Sequence, residues 1–361
     1  LEVKKRIGFH KDDFSHYDYN ELWAFEERIV KQHAGFLRAR SLYNEILELK
    51  KKSGYLKYGQ SIEKERIEWG IVPSDTPKRT MYYILMAQAL FHWLKKEHLL
   101  EYEITKDIID RFEPHLEGRE KLQANLEHLT SCICTAKFSE LLMVLKNIKE
   151  LVANGTLGAS VDLELRVFYY ASNYEIMTYS YMGENEKLEL KLAEVEEGVE
   201  KWKRAISTEM WLVLCSALKS GYFFIGNYKK SRKYINFILN QDRSNVRKDV
   251  YEDALFFNIL LIYDRGDYDY LESTVKHALR YCEANFSSDS FEYQMVLFFE
   301  VYLNDWDSKK LYKELLRILL QDALRKVNGR MYSENYLPHY FWVKSKIENK
   351  KLVEIVLKWN L

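Results

Sequence analysis

Along this 361-residue chain, apolar residues recur at the three- and four-residue spacing of one helix face, and short small or polar joins interrupt the runs. Three joins are clear: Tyr181-Met182-Gly183-Glu184-Asn185, Phe224-Ile225-Gly226-Asn227-Tyr228 and Asp264-Arg265-Gly266-Asp267-Tyr268. Each follows a long apolar run and leads at once into an amphipathic one, which predicts two antiparallel helices meeting at a tight turn. Glycine suits such a join because a helix end commonly takes a left-handed backbone conformation that only glycine adopts without steric cost. The asparagine or aspartate that follows predicts a side-chain cap on the next helix.

Beyond the joins, one apolar stripe per helix is expected to be buried: Leu188, Leu192 and Val195, then Tyr234, Ile235 and Ile238, then Leu271, Val275 and Ala278. A fourth join, Ala136-Lys137-Phe138, lacks glycine but keeps the pattern with Leu141, Leu145 and Ile148. Further joins are read near Gly54, near Lys96 (then Leu100, Ile104, Ile108 and Phe112) and near Asn304-Asp305-Trp306. Positions 54, 96, 136, 183, 226, 266 and 304 are 42, 40, 47, 43, 40 and 38 residues apart. An isolated helical pair cannot cover its own apolar face, so such units are stable only in stacked runs.

This period exceeds the roughly 34 residues of a tetratricopeptide repeat (TPR), so each helix is expected to be longer by a turn or so. The Gly226 join resembles the TPR pattern most closely, with Tyr222 and Tyr228 at the large positions and Ser231 at the small one, although the closing proline is missing. The fold expected is all-α, a right-handed superhelical solenoid of about six to seven antiparallel helix pairs. Residues 1–78 are expected to form an amino-terminal helical segment continuing a preceding region, 79–328 the repeats, and 329–361 a carboxy-terminal helical cap. Pro73 to Pro77 marks a loop, and the cap follows Gly329 and contains Pro338 and Leu352-Val353-Glu354-Ile355-Val356-Leu357.

From about Trp23 to Tyr302 the chain resembles a group of TPR-like helical-repeat proteins found in Bacteroidetes. The resemblance rests on Glu27-Arg28-Ile29 leading into Ser41-Leu42-Tyr43-Asn44-Glu45-Ile46-Leu47, on the run from Tyr82 to Trp93, and on Gly226-Asn227-Tyr228. It implies a TPR-type array carrying a further helical segment ahead of Leu1, and it implies no activity.

Composition agrees with long helices. Apolar residues make up 47% and charged residues 30%, while 4 prolines and 14 glycines are too few for the many turns of a β-sandwich. Lysine plus arginine equal aspartate plus glutamate, 54 against 54, which gives no global field to draw nucleic acid. The longest uncharged run, Thr80 to Leu94, falls short of the roughly 20 residues that span a bilayer, so no membrane association is expected. Cys132, Cys134, Cys215 and Cys282 form no C-x-x-C pair and are read as small core residues of a reducing, cytoplasmic compartment.

No phosphate loop, dinucleotide fingerprint, H-E-x-x-H or nucleophile elbow occurs, so no catalytic residue, metal or cofactor is expected. His10-Lys11-Asp12-Asp13-Phe14-Ser15-His16 has metal-ligand types but reads as a polar terminal segment. The basic run Tyr228 to Tyr234, followed by Arg243, Arg247 and Lys248, and the acidic run Glu194 to Glu200 both read as solvated helix faces. The remaining candidate is the inner surface of the array, lined by the first helix of each pair, where Tyr170, Asn173, Met177, Ser216, Ser220 and Phe223 are expected to bind a partner. The function expected is a non-enzymatic scaffold for a protein or peptide. The alternative is a peptide-responsive regulator, similar to bacterial quorum-peptide receptors, with its effector domain outside this chain. An enzyme would instead require a deep pocket of convergent ionisable groups.

Overall fold

A computed structural model describes residues 19–53, 76–95, 97–156, 160–242, 246–288, 290–304, 310, 312–318, 321 and 337–359. No strand occurs among them. Among the described residues, beside a helical stretch at 312–318, fourteen α-helices follow in order: α1 (Tyr19–Ser53), α2 (Lys78–Leu94), α3 (His98–Arg111), α4 (Gly118–Cys134), α5 (Phe138–Ala153), α6 (Val161–Met182) and α7 (Asn185–Trp202). Then come α8 (Thr208–Phe224), α9 (Tyr228–Leu239), α10 (Lys248–Asp264), α11 (Tyr268–Asn285), α12 (Phe291–Asn304), α13 (Leu337–Glu348) and α14 (Leu352–Trp359). None of the described helices is long and apolar enough to cross a membrane.

The joins share one backbone solution. The N–H of Glu97, Lys137, Glu184, Asn227 and Asp267 donates to the carbonyl five residues back, on His92, Cys132, Tyr179, Tyr222 and Ile262, over 2.8–3.4 Å. These donors are 40, 47, 43 and 40 residues apart, and all five have φ between −89° and −82° and ψ between 58° and 69°. Ala136, Gly183, Gly226 and Gly266, each one residue before a donor, have positive φ. This bond from beyond a left-handed residue satisfies carbonyls that a helix end leaves unpaired. Capping by side chains is rarer than the sequence suggests: Asn227 Oδ1 accepts from the Lys230 N–H (3.2 Å), while Asp267 makes no such bond.

The apolar stripes predicted after Gly183, Gly226, Gly266 and Ala136 are all buried. The α3 stripe holds in part: Ile108 and Phe112 are buried and Ile104 packs on the core, but Leu100 is exposed, and the helix also buries His98, Glu101 and Thr105. Cross-repeat packing, which sequence periodicity does not contain, decides which face turns inward. Helices adjacent in sequence from α1 to α12 mostly pack on each other, and α2 also touches α4, α4 touches α6, α6 touches α8, and α8 touches α10. Gly221 permits the close approach of α8, since a Cβ there would lie 2.8 Å from a Leu192 methyl and 3.0 Å from one of Ile176.

The hairpin α13–α14 covers more than the end of the chain. Its His339 ring packs on Phe291 of α12 and also on Phe257 of α10, and Phe341 lies between Tyr181 of α6 and Phe224 of α8. Trp359 reaches Phe138 at the start of α5. Asp264 at the end of α10 fixes the hairpin, accepting from Trp342 Nε1 (3.0 Å), Lys346 Nζ (2.5 Å) and Tyr228 OH (3.1 Å).

Ala136 is the one of these four left-handed joins without glycine, and Gly226 has open space where a Cβ would go. Ala136→Gly should therefore stabilise the protein by about 1 kcal/mol, and Gly226→Ala should destabilise it by about 1–2 kcal/mol. Urea denaturation midpoints check both, and a pair of unchanged midpoints would show that backbone handedness does not limit the joins.

Candidate functional site

The six residues expected to face a partner divide into three groups. Tyr170, Asn173 and Met177 lie on one side of α6, each half-buried, with the Tyr170 ring stacked on Tyr174 at 6.3 Å. Ser216 and Ser220 lie one turn apart on the neighbouring α8, also half-buried, and Ser220 Oγ donates to the Ser216 carbonyl (3.1 Å). Phe223 is interior, packed on Tyr228 and Phe257, so its ring is not presented to solvent as expected. A position one turn from a half-buried serine is buried here because α10 covers that side of α8.

Between the two serines sits Lys219, a fully buried side chain. Its ammonium donates to Asp253 Oδ2 (2.5 Å) and Ser220 Oγ (3.1 Å) and lies 3.8 Å above the Phe257 ring. Ser216 Oγ donates to the same Asp253 oxygen (2.9 Å). Burial pushes the Lys219 pKa below the ordinary lysine value, against the opposing pull of Asp253. The sequence signal was a single cation inside the apolar run Trp211 to Phe224, with nothing to identify its anion 34 residues away.

Ion pairs of this kind also tie other repeats together. Glu175, buried on α6, receives Lys149 of α5 and Lys191 of α7, each at 2.6 Å. Glu196 of the acidic run accepts from Lys230 (2.7 Å) and Tyr234 (2.6 Å) of the basic run, so part of each is an inter-helix contact, where solvated faces were expected. Arg232 lies over Tyr270 and Arg247 pairs with Asp249, so these cations also have partners within the chain. Arg243 and the His10–His16 segment fall outside the described residues.

The four cysteines are buried, as expected, and none is in a disulfide. Two of them adjoin other ligand-type side chains, as Cys134 with His98 and Glu101, and Cys132 with His128 and Glu140. Burial lowers the His128 pKa, which leaves the imidazole neutral at physiological pH. Burial alone would raise the Glu140 carboxyl, but hydrogen bonds from Tyr102 and His128 hold it below the usual carboxylate range. A separate cleft of about 540 Å³ opens between α2 and α4, lined by Arg40, Lys78, Arg79, Tyr83, His115 and Arg119 among others. Within it Arg79 pairs with Glu120 (2.8 Å) and Lys78 donates to His115 Nε2 (3.0 Å), so two of its cations are already engaged.

No family model matches this chain, and no curated protein or solved structure matches it.

Two stability predictions follow from these groups. Asp253→Asn would leave a fully buried ammonium without an anion and should cost about 3–5 kcal/mol, whereas Lys219→Met fills the same space with no charge and should cost much less. The reverse order in urea denaturation would show that the pair is not held by its charge. Separately, burial pushes Glu252 up to about 6, above its unfolded value, so the folded state binds the proton more tightly. Stability from this group is present below about pH 4.5 and is lost as pH rises through about 6. Glu252→Gln should thus stabilise the protein by up to about 2 kcal/mol at pH 7 and by almost nothing at pH 4. Melting curves at the two pH values would refute this if the gain were equal at both.

Proposed function

We propose that this chain is a TPR-like, right-handed superhelical solenoid of helix pairs that binds a protein or peptide through the inner face of its first helices. It acts as a scaffold in the cytoplasm, with no catalytic role of its own and no nucleic-acid ligand. The observation that carries the reading is that half-buried Tyr170, Asn173 and Met177 lie on α6 and half-buried Ser216 and Ser220 on α8, which packs against it. Rings, an amide and hydroxyls on two packed helices suit an extended backbone, which needs hydrogen-bond partners and flat apolar surface at short intervals. The recurring joins support the repeat assignment, and the contacts between alternate helices support continuous stacking of the first helices. The balanced charge supports a partner other than a polyanion.

A peptide library displayed on phage and selected on the purified chain tests this reading. Selected peptides should bind saturably, and Asn173→Arg or Met177→Arg should weaken them about 10-fold or more, equivalent to about 1.4 kcal/mol. Exposed Val30→Arg, on α1, serves as the control and should leave affinity unchanged. Recovery of no saturable peptide, or peptides indifferent to both α6 substitutions, would overturn the proposal.

A further inference from the structure

The buried side of α3 is unlike those of the other helices. His98, Glu101 and Thr105 occupy it and face His128, Ser131 and the two cysteines of α4. Buried polar atoms need partners that aliphatic residues would not, so a polar stripe at a repeat interface calls for a reason. Two ligand-type groups of three lie here, and their geometries differ.

In the first, His98 Nδ1 is 2.9 Å from Glu101 Oε2, a direct hydrogen bond, and all three residues including Cys134 are buried. In the second, His128 Nε2 lies 3.1 Å from Glu140 Oε1 and 3.7 Å from Cys132 Sγ. A tetrahedral zinc ion with ordinary bond lengths sets nitrogen–oxygen separations of about 3.3 Å and nitrogen–sulfur separations of about 3.6 Å. The second group is therefore close to ligand spacing before any ion enters.

Its supporting contacts fit as well. His128 and Cys132 are one turn apart on α4, and Glu140 comes from the first turn of α5 across the fixed Ala136 join. The other imidazole nitrogen, Nδ1, is 3.0 Å from Thr105 Oγ1, and the other carboxylate oxygen, Oε2, accepts from Tyr102 OH (2.6 Å). Such outer partners fix the orientation of both ligands, and an ion entering between Nε2 and Oε1 would replace the hydrogen bond these two atoms share. Lys106 Nζ, half exposed, is 3.8 Å from Oε1 and has room to swing into solvent.

We propose that His128 Nε2, Cys132 Sγ and Glu140 Oε1 form a three-ligand zinc site with its fourth position open to water on the Glu140 side. The mixed nitrogen, sulfur and oxygen donors favour zinc over magnesium or calcium, which take oxygen ligands. As the ion binds, the Cys132 thiol proton passes to solvent and the imidazole proton shifts from Nε2 to Nδ1, where Thr105 Oγ1 accepts it. This departs from the expectation of no metal, because His-x-x-x-Cys on one helical turn with a glutamate on the next helix matches none of the familiar zinc signatures.

The test uses the whole chain, freed of metal by a chelator and titrated with cobalt(II) as the spectroscopic probe and with zinc. One equivalent of cobalt should bind and give a thiolate-to-cobalt charge-transfer band. Cys132→Ser should abolish the band, Cys134→Ser should keep it, and Thr105→Val should weaken zinc about 10- to 100-fold. X-ray absorption of the zinc-loaded wild-type chain should count one sulfur ligand, which keeps the proposal testable if Cys132→Ser does not fold. No saturable cobalt binding, a band that survives Cys132→Ser or is lost in Cys134→Ser, or a sulfur count of zero or two would overturn it.

Discussion

Everything in this fold depends on one backbone constraint, the left-handed residue that reverses the chain between two helices. Where it occurs, the following N–H bonds five residues back, and the next helix begins with nearly the same φ and ψ at Lys137, Glu184, Asn227 and Asp267. Fixing those angles fixes the antiparallel crossing of the pair, and hence which residues each second helix can turn toward its partner. Side-chain caps contribute less, because only some of these helix starts have one.

With the pairs set, charged groups decide how neighbouring pairs register. Apolar stripes are interchangeable to within a turn, whereas Lys219 with Asp253, Glu175 with Lys149 and Lys191, and Glu196 with Lys230 each specify one partner. Each buried charge is costly unless its counter-charge is in place, so a slipped register leaves it unpaired.

The sequence made the second helices legible because their apolar residues repeat every three or four positions, and every residue named after the Ala136, Gly183, Gly226 and Gly266 joins is buried. It misled at α3, where Leu100 looked like core and proved exposed. Periodicity ranks residues by greasiness, and a helix whose inward face adds His98, Glu101 and Thr105 to Ile108 defeats that ranking in its first turns. Phe223 failed for the opposite reason, since its neighbour on α10 covers a face that local spacing alone would leave open. Lys219 showed as an anomaly within its own helix, but its anion lies on another, and a single chain carries no record of that distance.

The α13–α14 hairpin adds a constraint on any partner of the inner face. Phe341 covers the ends of α6 and α8 near Tyr181 and Phe224, and Trp342 covers the end of α10 through Asp264. Those are the ends of the first helices nearest the joins, whereas the half-buried Tyr170, Asn173 and Met177 lie further along α6 from the Gly183 join. Leu357 also sits 3.0 Å from where a Cβ on Gly183 would be, which ties the hairpin to the join itself. A ligand long enough to run along several first helices would therefore have to pass beside this hairpin or displace it. Displacement would uncover Phe341, Trp342 and their aromatic neighbours together, a large apolar surface whose exposure opposes the exchange. A short extended segment confined to α6 and α8, as proposed, would avoid that cost.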